Sequence, residues 1–541
     1  MKPKSVYVLV ICYLLTACDG SPADLTVQVI ASQVEIPVFS TACLYGGFEL
    51  REGLDDNANN LLDAQEVRST RIQCSDEDSV QLNTQLLQIA ERLELTGDPS
   101  LGRRVPSIDS PLSQLGMQLF FSKALSGDQD VACVSCHHPN LGGGDGLHLS
   151  VGVAADIPEL LGPGRVHRSG AAGFDGGPTV PRNAPTTFNI GLWDRVLFHD
   201  GRLESLSKTP GAAGEDGPVR TPDVPFGDSD NQATGTLANV QARFPVTSPE
   251  EMKGFTFSAG GDNQALREAL TSRLRGDTNE LAQNFWLNAF QAGFAQAGGT
   301  AAELITFDNI THAIAQYEQS QVFVQTPWKQ FLDGQTDGMS AQAKLGAVLF
   351  FGKAQCSNCH SGDFFTDEDF HVVAMPQIGR GKGDGPTGDG DFGRFRETQR
   401  DQDRFAFRTP SLLNVAVTGP YGHAGGYNSL NDVIRHHANP RSAIDNYDSN
   451  QLEAGVQSDN FRSNTLAAVE QLERLQASNE SDLVNIQLTD EEVDWLATFL
   501  DALTDPCVRD KNCLQPWMPD EFTFDPDGLR LEAVDEEGNA L

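Results

Sequence analysis

Basic residues are scarce in this sequence. The 541-residue chain has 38 lysines and arginines against 75 aspartates and glutamates, a formal charge of −37 at pH 7. This excess of acid argues against nucleic acid and anionic lipid surfaces as partners and favours a basic one. Long apolar runs are missing after residue 15, so no later segment is predicted to span a bilayer. The length predicts several units, each with an apolar core.

The first residues have the form of a short export signal. Two lysines precede an apolar run over residues 6–15, and Leu-Thr-Ala-Cys follows, ending at Cys18. Because this ending resembles a bacterial lipobox, residues 1–18 are predicted to be a lipoprotein signal peptide and residues 19–36 a linker. The expected location is the periplasm or cell envelope, with a lipid on Cys18 as the only membrane attachment. The alternative is an ordinary cleaved signal in which Cys18 is incidental.

The pattern Cys-x-x-Cys-His occurs twice. Two thiols one helical turn apart, followed by an imidazole, have the spacing for covalent attachment of a c-type haem whose iron the histidine ligates. Structural zinc would have to pool both copies to reach four ligands, and a redox dithiol has no need of the histidine. The sequence therefore predicts two covalently bound c-type haems. Their residues are Cys133, Cys136 and the iron ligand His137, and Cys356, Cys359 and the iron ligand His360.

Four further cysteines fall into two pairs. Cys43 with Cys74, and Cys507 with Cys513, suit disulfides in an oxidising, exported location. The first pair encloses most of residues 37–76, which are therefore predicted to form a small cysteine-clamped module.

A twelve-residue stretch of this module has the calcium-loop pattern of an EF-hand. Asn60 stands at position 6, where glycine is usual, and asparagine can adopt the left-handed conformation needed there. The loop is predicted to bind calcium; the alternative is a plain solvated acidic turn. Side-chain oxygens occupy its positions 1, 3, 5, 9 and 12, namely Asp55, Asn57, Asn59, Asp63 and Glu66.

Two segments recur in the same order, which indicates an internal duplication. LGMQLFFSKA at residues 115–124 returns as LGAVLFFGKA at residues 345–354, each shortly before a Cys-x-x-Cys-His copy. A second similarity relates APTTFN to TPSLLN further along the chain. Ser110 and Ser340 precede the two copies of the first segment and are predicted helix N-caps.

The predicted fold is mostly α. It consists of two duplicated cytochrome c-like haem domains with long loops, plus the small N-terminal disulfide-clamped module. Strand-like alternation is scarce, whereas a capping box at Thr489 begins a helix with an apolar stripe. The predicted units are residues 105–325 for the first haem domain, 326–505 for the second, and 506–541 for a C-terminal tail with a disulfide.

These features together resemble a known family. Two haem pentads in duplicated domains, with RNAPTTFN, FHDGR, SPEEM, FRTPSLLNVAVTGPYGHAGG and SLNDVIRHH in this order, look like the bacterial di-haem cytochrome c peroxidases and their MauG-type relatives. The resemblance covers about residues 105–505. It implies a peroxidatic first haem, an electron-transfer second haem with a second axial ligand, and calcium between the domains. It also implies hydrogen peroxide as substrate and a small electron-donor protein, such as a monohaem cytochrome c or a cupredoxin; a homodimer is compatible with it.

The resemblance assigns roles to several residues. His137 would be the proximal ligand of the peroxidatic haem. Glu251, in SPEEM, falls on the distal glutamate that acts as acid and base when the peroxide O–O bond breaks; the alternative is an exposed loop acid. The positions of the interdomain calcium ligands correspond to Asn183, Thr418 and Pro420.

The second axial ligand of the second haem is predicted from SLNDVIRHH. This motif places His437 where the peroxidases carry methionine and the MauG-type proteins tyrosine. His360 and His437 would then give bis-histidine ligation and a lower potential than histidine with methionine, because a thioether favours ferrous iron. The competing residues are His436 and Met375.

The loop after the first pentad departs from the resemblance. Many peroxidases of the family carry there a histidine that blocks the peroxidatic iron until activation, whereas Val153 occupies that place. His138 and His148 lie in the same loop and could substitute, or be surface residues. We expect an open first haem that needs no activation.

Two further departures concern the space between and above the haems. The inter-haem tryptophan of the family is His199 here, so electrons would pass beside this imidazole or through Trp193. The distal glutamine that precedes the glutamate aligns near Thr209, inside an insertion. His423 mirrors His199 in the repeat, which suggests a structural role for both at the domain interface.

The sequence leaves three functions open. The first is reduction of hydrogen peroxide with electrons from a small redox protein. The second is peroxide-driven oxidation of a protein or small molecule, as in MauG-type relatives. The third is a non-catalytic di-haem electron-transfer protein with two six-coordinate irons; an open sixth position on the first haem separates it from both enzymes.

Overall fold

A computed structural model describes residues 29–57, 59–76 and 80–541. The predicted signal peptide, the lipid site and the first part of the linker lie outside these residues. The α-helices are α1 (Val80–Arg92), α2 (Pro111–Phe121), α3 (Leu237–Gln241), α4 (Asn263–Arg275), α5 (Trp286–Gly293), α6 (Ala301–Leu304), α7 (Phe307–Gln319), α8 (Pro327–Leu332), α9 (Ala341–Phe350), α10 (Phe395–Thr398), α11 (Leu430–Ala438), α12 (Pro440–Asp445), α13 (Phe461–Ala477), α14 (Asp490–Asp501) and α15 (Lys511–Leu514). The strands are β1 (Val29–Ile36), β2 (Gly47–Leu54), β3 (Val67–Cys74), β4 (Val196–Leu197), β5 (Leu203–Ser205), β6 (Val219–Arg220), β7 (Phe370–Val372) and β8 (Ala406–Arg408).

The N-terminal module is an antiparallel sheet in the order β1-β2-β3. Cys43 and Cys74 form the predicted disulfide. Strand β1 occupies residues assigned to the linker 19–36, so that boundary is wrong from residue 29 onwards. The reason is that Ile30 and Ile36 are buried and hold β1 on the sheet, although the residues between them are too polar to show an alternating pattern.

The loop predicted to bind calcium joins β2 to β3 rather than two helices. The Asp55 carboxylate accepts hydrogen bonds from the backbone N–H groups of Asn59 (3.1 Å) and Asn60 (2.8 Å). The Glu66 carboxylate accepts one from the N–H of Asp63 (2.9 Å). Asn60 has φ = +61°, the left-handed conformation expected of it. Protein donors thus occupy both terminal carboxylates, and calcium binding in this loop stays a prediction.

Helices α2 and α7 form the centre of the predicted first haem domain. The hydroxyl of Ser110 accepts a hydrogen bond from the N–H of Ser113 (3.1 Å), so it caps α2 as predicted. Gly116 lies where the helices cross. A Cβ on this residue would lie 2.0 Å from the carbonyl oxygen of Ala313, so the close approach of α2 and α7 requires glycine.

Helices α9 and α14 form the matching centre of the predicted second haem domain. Ser340 caps α9 through the N–H of Ala343 (3.1 Å), and Thr489 forms the predicted capping box of α14. At this crossing a Cβ on Gly346 would lie 1.9 Å from the carbonyl oxygen of Trp495. The two helix pairs repeat one packing arrangement, while duplication of the complete domains stays a prediction. Helix α1 joins the apolar cluster around α9.

The fold is mixed rather than purely helical. Two small sheets, β4-β5-β6 and β7-β8, lie within the long irregular segments that connect the helices. Each of their strands has two or three residues, too few for an alternating pattern to be visible in the sequence. Among the described residues, none of the helices has the length and apolar character needed to cross a membrane.

The C-terminal tail returns to the first haem domain. Cys507 and Cys513 form the second predicted disulfide. Further along, the buried Asp527 accepts hydrogen bonds from the Ser122 hydroxyl (2.8 Å) and from the Trp286 ring N–H (2.9 Å). The tail is therefore part of the packed structure beside the first haem domain.

Candidate functional site

One cavity of about 430 Å³ runs between the two halves of the chain and receives both pentads. Its walls are largely apolar, as a haem site requires. The four pentad cysteines carry free thiols, whereas the other described cysteines are joined in disulfides. The residues fit the attachment of two c-type haems. The predicted ligands and acid that line this cavity are Cys133, Cys136, His137, Cys356, Cys359, His360, His437 and Glu251.

The first pentad begins as a short 3₁₀ turn over Cys133–Ser135. The Ala132 N–H donates to the Ser135 hydroxyl (3.1 Å), which fixes the start of this turn. His137 donates from Nδ1 to the carbonyl oxygen of Gly143 (3.2 Å). This hydrogen bond places the proton on Nδ1 and leaves Nε2 with a free lone pair, which is the usual arrangement of an iron-ligating histidine.

The second pentad repeats this arrangement. A 3₁₀ turn spans Cys356–Asn358, and Nδ1 of His360 faces the carbonyl oxygens of Phe365 (3.2 Å) and Pro410 (3.1 Å). Burial lowers the pKa of His360 to about 4, so its imidazole is neutral at pH 7. The free Nε2 lone pair is again available for iron.

The neighbouring histidines of α11 differ in their hydrogen bonds. His437 faces the cavity and donates from Nδ1 to the carbonyl oxygen of Val433 (2.9 Å), which leaves its Nε2 free. Both ring nitrogens of His436 are engaged, one with the Tyr427 hydroxyl (2.8 Å) and one with the carbonyl oxygen of Val373 (2.7 Å). His436 therefore has no lone pair to offer. Met375 also lines the cavity and remains a competitor of His437.

Glu251 reaches the cavity from a single π-helical turn, Pro249–Lys253. The hydroxyl of Ser248 accepts a hydrogen bond from the Glu251 N–H (3.3 Å) and so caps the turn. Burial raises the pKa of the Glu251 carboxyl, while the positive charges of Arg202 and Lys382 act in the opposite direction. Glu251 is thus a cavity acid and not an exposed loop residue.

The cavity that contains Glu251 is also lined by polar residues that were not predicted from the sequence. Gln241 lines the cavity ten positions before Glu251, whereas Thr209 is exposed on a surface loop. Thr209 is therefore not a cavity residue, because the loop that carries it lies on the surface, whereas Gln241 stands at the end of α3 and lines the cavity. Arg202 and Lys382 also line the cavity. The feature that could have indicated Gln241 is the short helix α3, which ends at this residue.

The loop after the first pentad places no additional histidine in the cavity. Val153 is buried in the apolar core, and its N–H donates to the carbonyl oxygen of Glu250 (3.3 Å). A Cβ on Gly152 would lie 2.3 Å from the same oxygen, so the loop packs tightly against the turn that carries Glu251. His138 and His148 are buried outside the cavity, which contradicts a surface location for them.

Two aromatic candidates for inter-haem transfer line the cavity. His199 has its Nε2 3.0 Å from the carbonyl oxygen of Asn183. The guanidinium carbon of Arg408 lies 3.5 Å from the ring centroid of Trp193. His423 stacks on Phe407 with 3.8 Å between ring centroids, in agreement with the structural role expected of it.

The predicted interdomain calcium residues Asn183, Thr418 and Pro420 all line this cavity. The Asn183 amide donates to the carbonyl oxygens of Leu147 (2.9 Å) and His148 (3.2 Å), so its own side-chain oxygen is left as an acceptor. Oxygen ligands of this kind suit a hard cation. Calcium at this position stays a prediction.

Comparison with known proteins gives the following matches. The family model described as Di-haem cytochrome c peroxidase matches residues 110–337, and a model of a domain of unknown function matches residues 32–74. The methylamine utilization protein MauG of Methylorubrum extorquens is 28% identical over 326 residues, which cover 60% of this chain and 67% of that protein. The cytochrome c551 peroxidase of Pseudomonas aeruginosa is 27% identical over 344 residues, covering 63% of this chain and 73% of that protein. A solved MauG-like protein associated with microbial copper homeostasis aligns with a TM-score of 0.49 and 22% identity, covering 78% of this chain and 97% of that one.

Proposed function

Because residues 110–337 belong to the di-haem cytochrome c peroxidase family, we propose that this peroxide-dependent oxidoreductase reduces hydrogen peroxide at its first haem. The electrons come from a small donor protein, such as a monohaem cytochrome c or a cupredoxin. The observation that carries the proposal is the position of Glu251 in the same cavity as His137, into which the loop around Val153 places no histidine.

The chain's own residues hold the substrate and move its protons. A bound c-type haem supplies an iron that accepts electrons and takes part in O–O cleavage. The Nδ1 hydrogen bond fixes the imidazole of His137, whose Nε2 would ligate that iron. Glu251 takes a proton from one peroxide oxygen and returns it to the other, since burial raises its pKa towards neutral pH.

A haem held by Cys356, Cys359 and His360 would supply an electron relay between the donor and the first haem. We propose that His360 and His437 ligate its iron, because both present a free Nε2 to the cavity. Bis-histidine ligation gives a lower potential than histidine with methionine. Calcium at Asn183, Thr418 and Pro420 would tie the two halves together, and a lipid on Cys18 would keep the protein at the cell envelope.

One contact favours a protein donor over peroxide-driven oxidation of a remote substrate. Remote oxidation requires a hole to move through residues such as Trp193. The Arg408 guanidinium on the ring of Trp193 repels a second positive charge there and so disfavours that hole.

Substitution Glu251→Gln tests the proposed function. It removes the acid–base group with almost no change of shape, so kcat for peroxide reduction is expected to fall by about 10²- to 10⁴-fold. The haem absorption spectra should stay unchanged. Glu250→Gln is the matched control, since Glu250 belongs to the same turn and does not line the cavity. Equal peroxide turnover by Glu251→Gln and the wild type would exclude the proposed role, and two low-spin ferric haems indifferent to peroxide would indicate an electron carrier.

A further inference from the structure

Besides Glu251, a second buried carboxylic acid lines the cavity, and it belongs to helix α7. Glu318 lies on α7, is 5% exposed, and lines the cavity together with Ile314 one turn earlier on the same helix. Its carboxyl interacts electrostatically with Cys133, the first cysteine of the first pentad, and with Tyr317. Glu318 therefore belongs to the first-haem part of the cavity and was not selected by the sequence analysis.

Glu318 differs from the other buried acids of the described residues in having neither a hydrogen bond nor a salt bridge to its carboxyl. Among the described residues, no hydrogen bond or salt bridge to its carboxyl is found, and its Oε2 is enclosed without a hydrogen-bond partner. The buried Asp200 and Asp391, in contrast, both pair with Arg182 (2.7 and 2.6 Å). Helices α2 and α3, which pack on α7, carry no charged side chain. On α4, Arg267 and Arg273 form salt bridges with other acids, Asp223 and Glu280.

A carboxylate that is buried without a hydrogen-bond or salt-bridge partner is less stable than the neutral acid. An unpaired buried charge loses its hydration without compensation, so the group keeps its proton instead. Burial raises the pKa of Glu318 to about 8. The side chain is therefore a neutral proton donor at pH 7, placed on the wall of a cavity where protons are consumed.

We propose that Glu318 is a second proton-exchanging residue at the first haem, acting beside Glu251. The proposal rests on the proposed reduction of peroxide to two waters, which takes up two electrons from the donor protein and two protons. Glu251 moves a proton from one peroxide oxygen to the other, and this completes the first water when the O–O bond breaks. The second water needs two protons from elsewhere. Glu318 supplies one of them to the oxygen that becomes this water, and solvent supplies the other. The Glu318 carboxylate is then reprotonated from solvent.

The midpoint potential of the first haem gives a test that does not depend on turnover. A negative charge on Glu318 favours the oxidised haem, so the potential should decrease as pH rises through the titration of Glu318, between about pH 6 and about pH 10. Spectroelectrochemical titration of the holoprotein measures this dependence. Glu318→Gln is expected to remove most of it, whereas Asp308→Asn, at the exposed start of the same helix, should keep it.

The activity of the same variants completes the test. Glu318→Gln should lower kcat for peroxide by about 100-fold, and Glu318→Asp should restore part of the loss. The proposal is overturned if Glu318→Gln shows the wild-type pH dependence of the potential or the wild-type kcat. A wild-type protein that consumes no peroxide would instead overturn the proposed function, and the potential would still decide whether Glu318 exchanges a proton with the first haem.

A second measurement covers the case in which Glu318→Gln fails to incorporate haem. Infrared difference spectra between the oxidised and reduced states of Glu251→Gln should contain the carbonyl band of a protonated carboxylic acid that shifts in D₂O. Because Glu251 is absent from this variant, the band is expected to belong to Glu318. Its absence would overturn the proposal.

Discussion

At the scale of single residues, hydrogen bonds separate the roles of His436 and His437. His437→Ala is expected to convert the second haem from low spin to high spin, because the imidazole with the free Nε2 is lost. His436→Gln should leave the haem low-spin but lower the free energy of unfolding by about 1–3 kcal/mol, since Tyr427 loses a buried partner. EPR of the ferric protein and denaturant unfolding measure these effects. A low-spin second haem in His437→Ala would instead point to Met375 as its ligand.

Glu318 also makes stability depend on pH. Its pKa is raised from 4.5 to about 8 in the folded protein, so the native state binds more protons than the unfolded state between these values. The contribution of Glu318 to the free energy of unfolding therefore decreases as pH rises through this window, by at most about 1.4 kcal/mol per pH unit. Denaturant unfolding of Glu318→Gln should show a stability that increases, relative to the wild type, over the same window. A constant difference would contradict this expectation.

At the scale of elements, the two helix crossings depend on glycine. Gly346→Ala would place a methyl group 1.9 Å from the Trp495 carbonyl oxygen, so α9 and α14 would have to separate. We expect the free energy of unfolding to fall by about 1–3 kcal/mol. Gly298→Ala is the control, because no atom lies within 4 Å of its Cβ position. Equal stability of the two variants in thermal unfolding would show that the crossing tolerates a side chain.

Helix boundaries could be predicted from the sequence because local chemistry determines them. Ser110, Ser340 and Thr489 all cap helices as expected, since each hydroxyl satisfies an N–H of its own first turn. Strand β1 was missed because its position depends on pairing with β2, which the isolated segment does not reveal. Local signals are thus more informative than long-range ones in this chain.

The same difference between local and long-range signals explains which cavity residues could be predicted from the sequence and which could not. The pentad residues, His437 and Glu251 stand in motifs, and all line one cavity. Gln241, Lys382 and Glu318 carry no motif, and only the folding of distant segments brings them there. The sequence therefore identifies well the motif residues that line the cavity and identifies poorly the polar residues around them.

At the scale of the whole molecule, the tail contributes to the first haem domain. Asp527→Ala would leave the buried Ser122 hydroxyl and Trp286 ring N–H without their acceptor, so the free energy of unfolding should fall by about 1–3 kcal/mol for each group. Glu537→Gln, on an exposed part of the tail, is the control. Denaturant unfolding followed by the absorption of the first haem measures the effect. Unchanged stability in Asp527→Ala would show that the hydrogen bonds of Asp527 do not stabilise this domain.

The shared cavity constrains the biosynthesis of the protein. Its walls come from residues as far apart in the chain as Phe120 and Leu500, so it exists only when both halves have folded. Attachment of the haems, in turn, requires four accessible thiols. We therefore expect the haems to be attached before the two halves close around them.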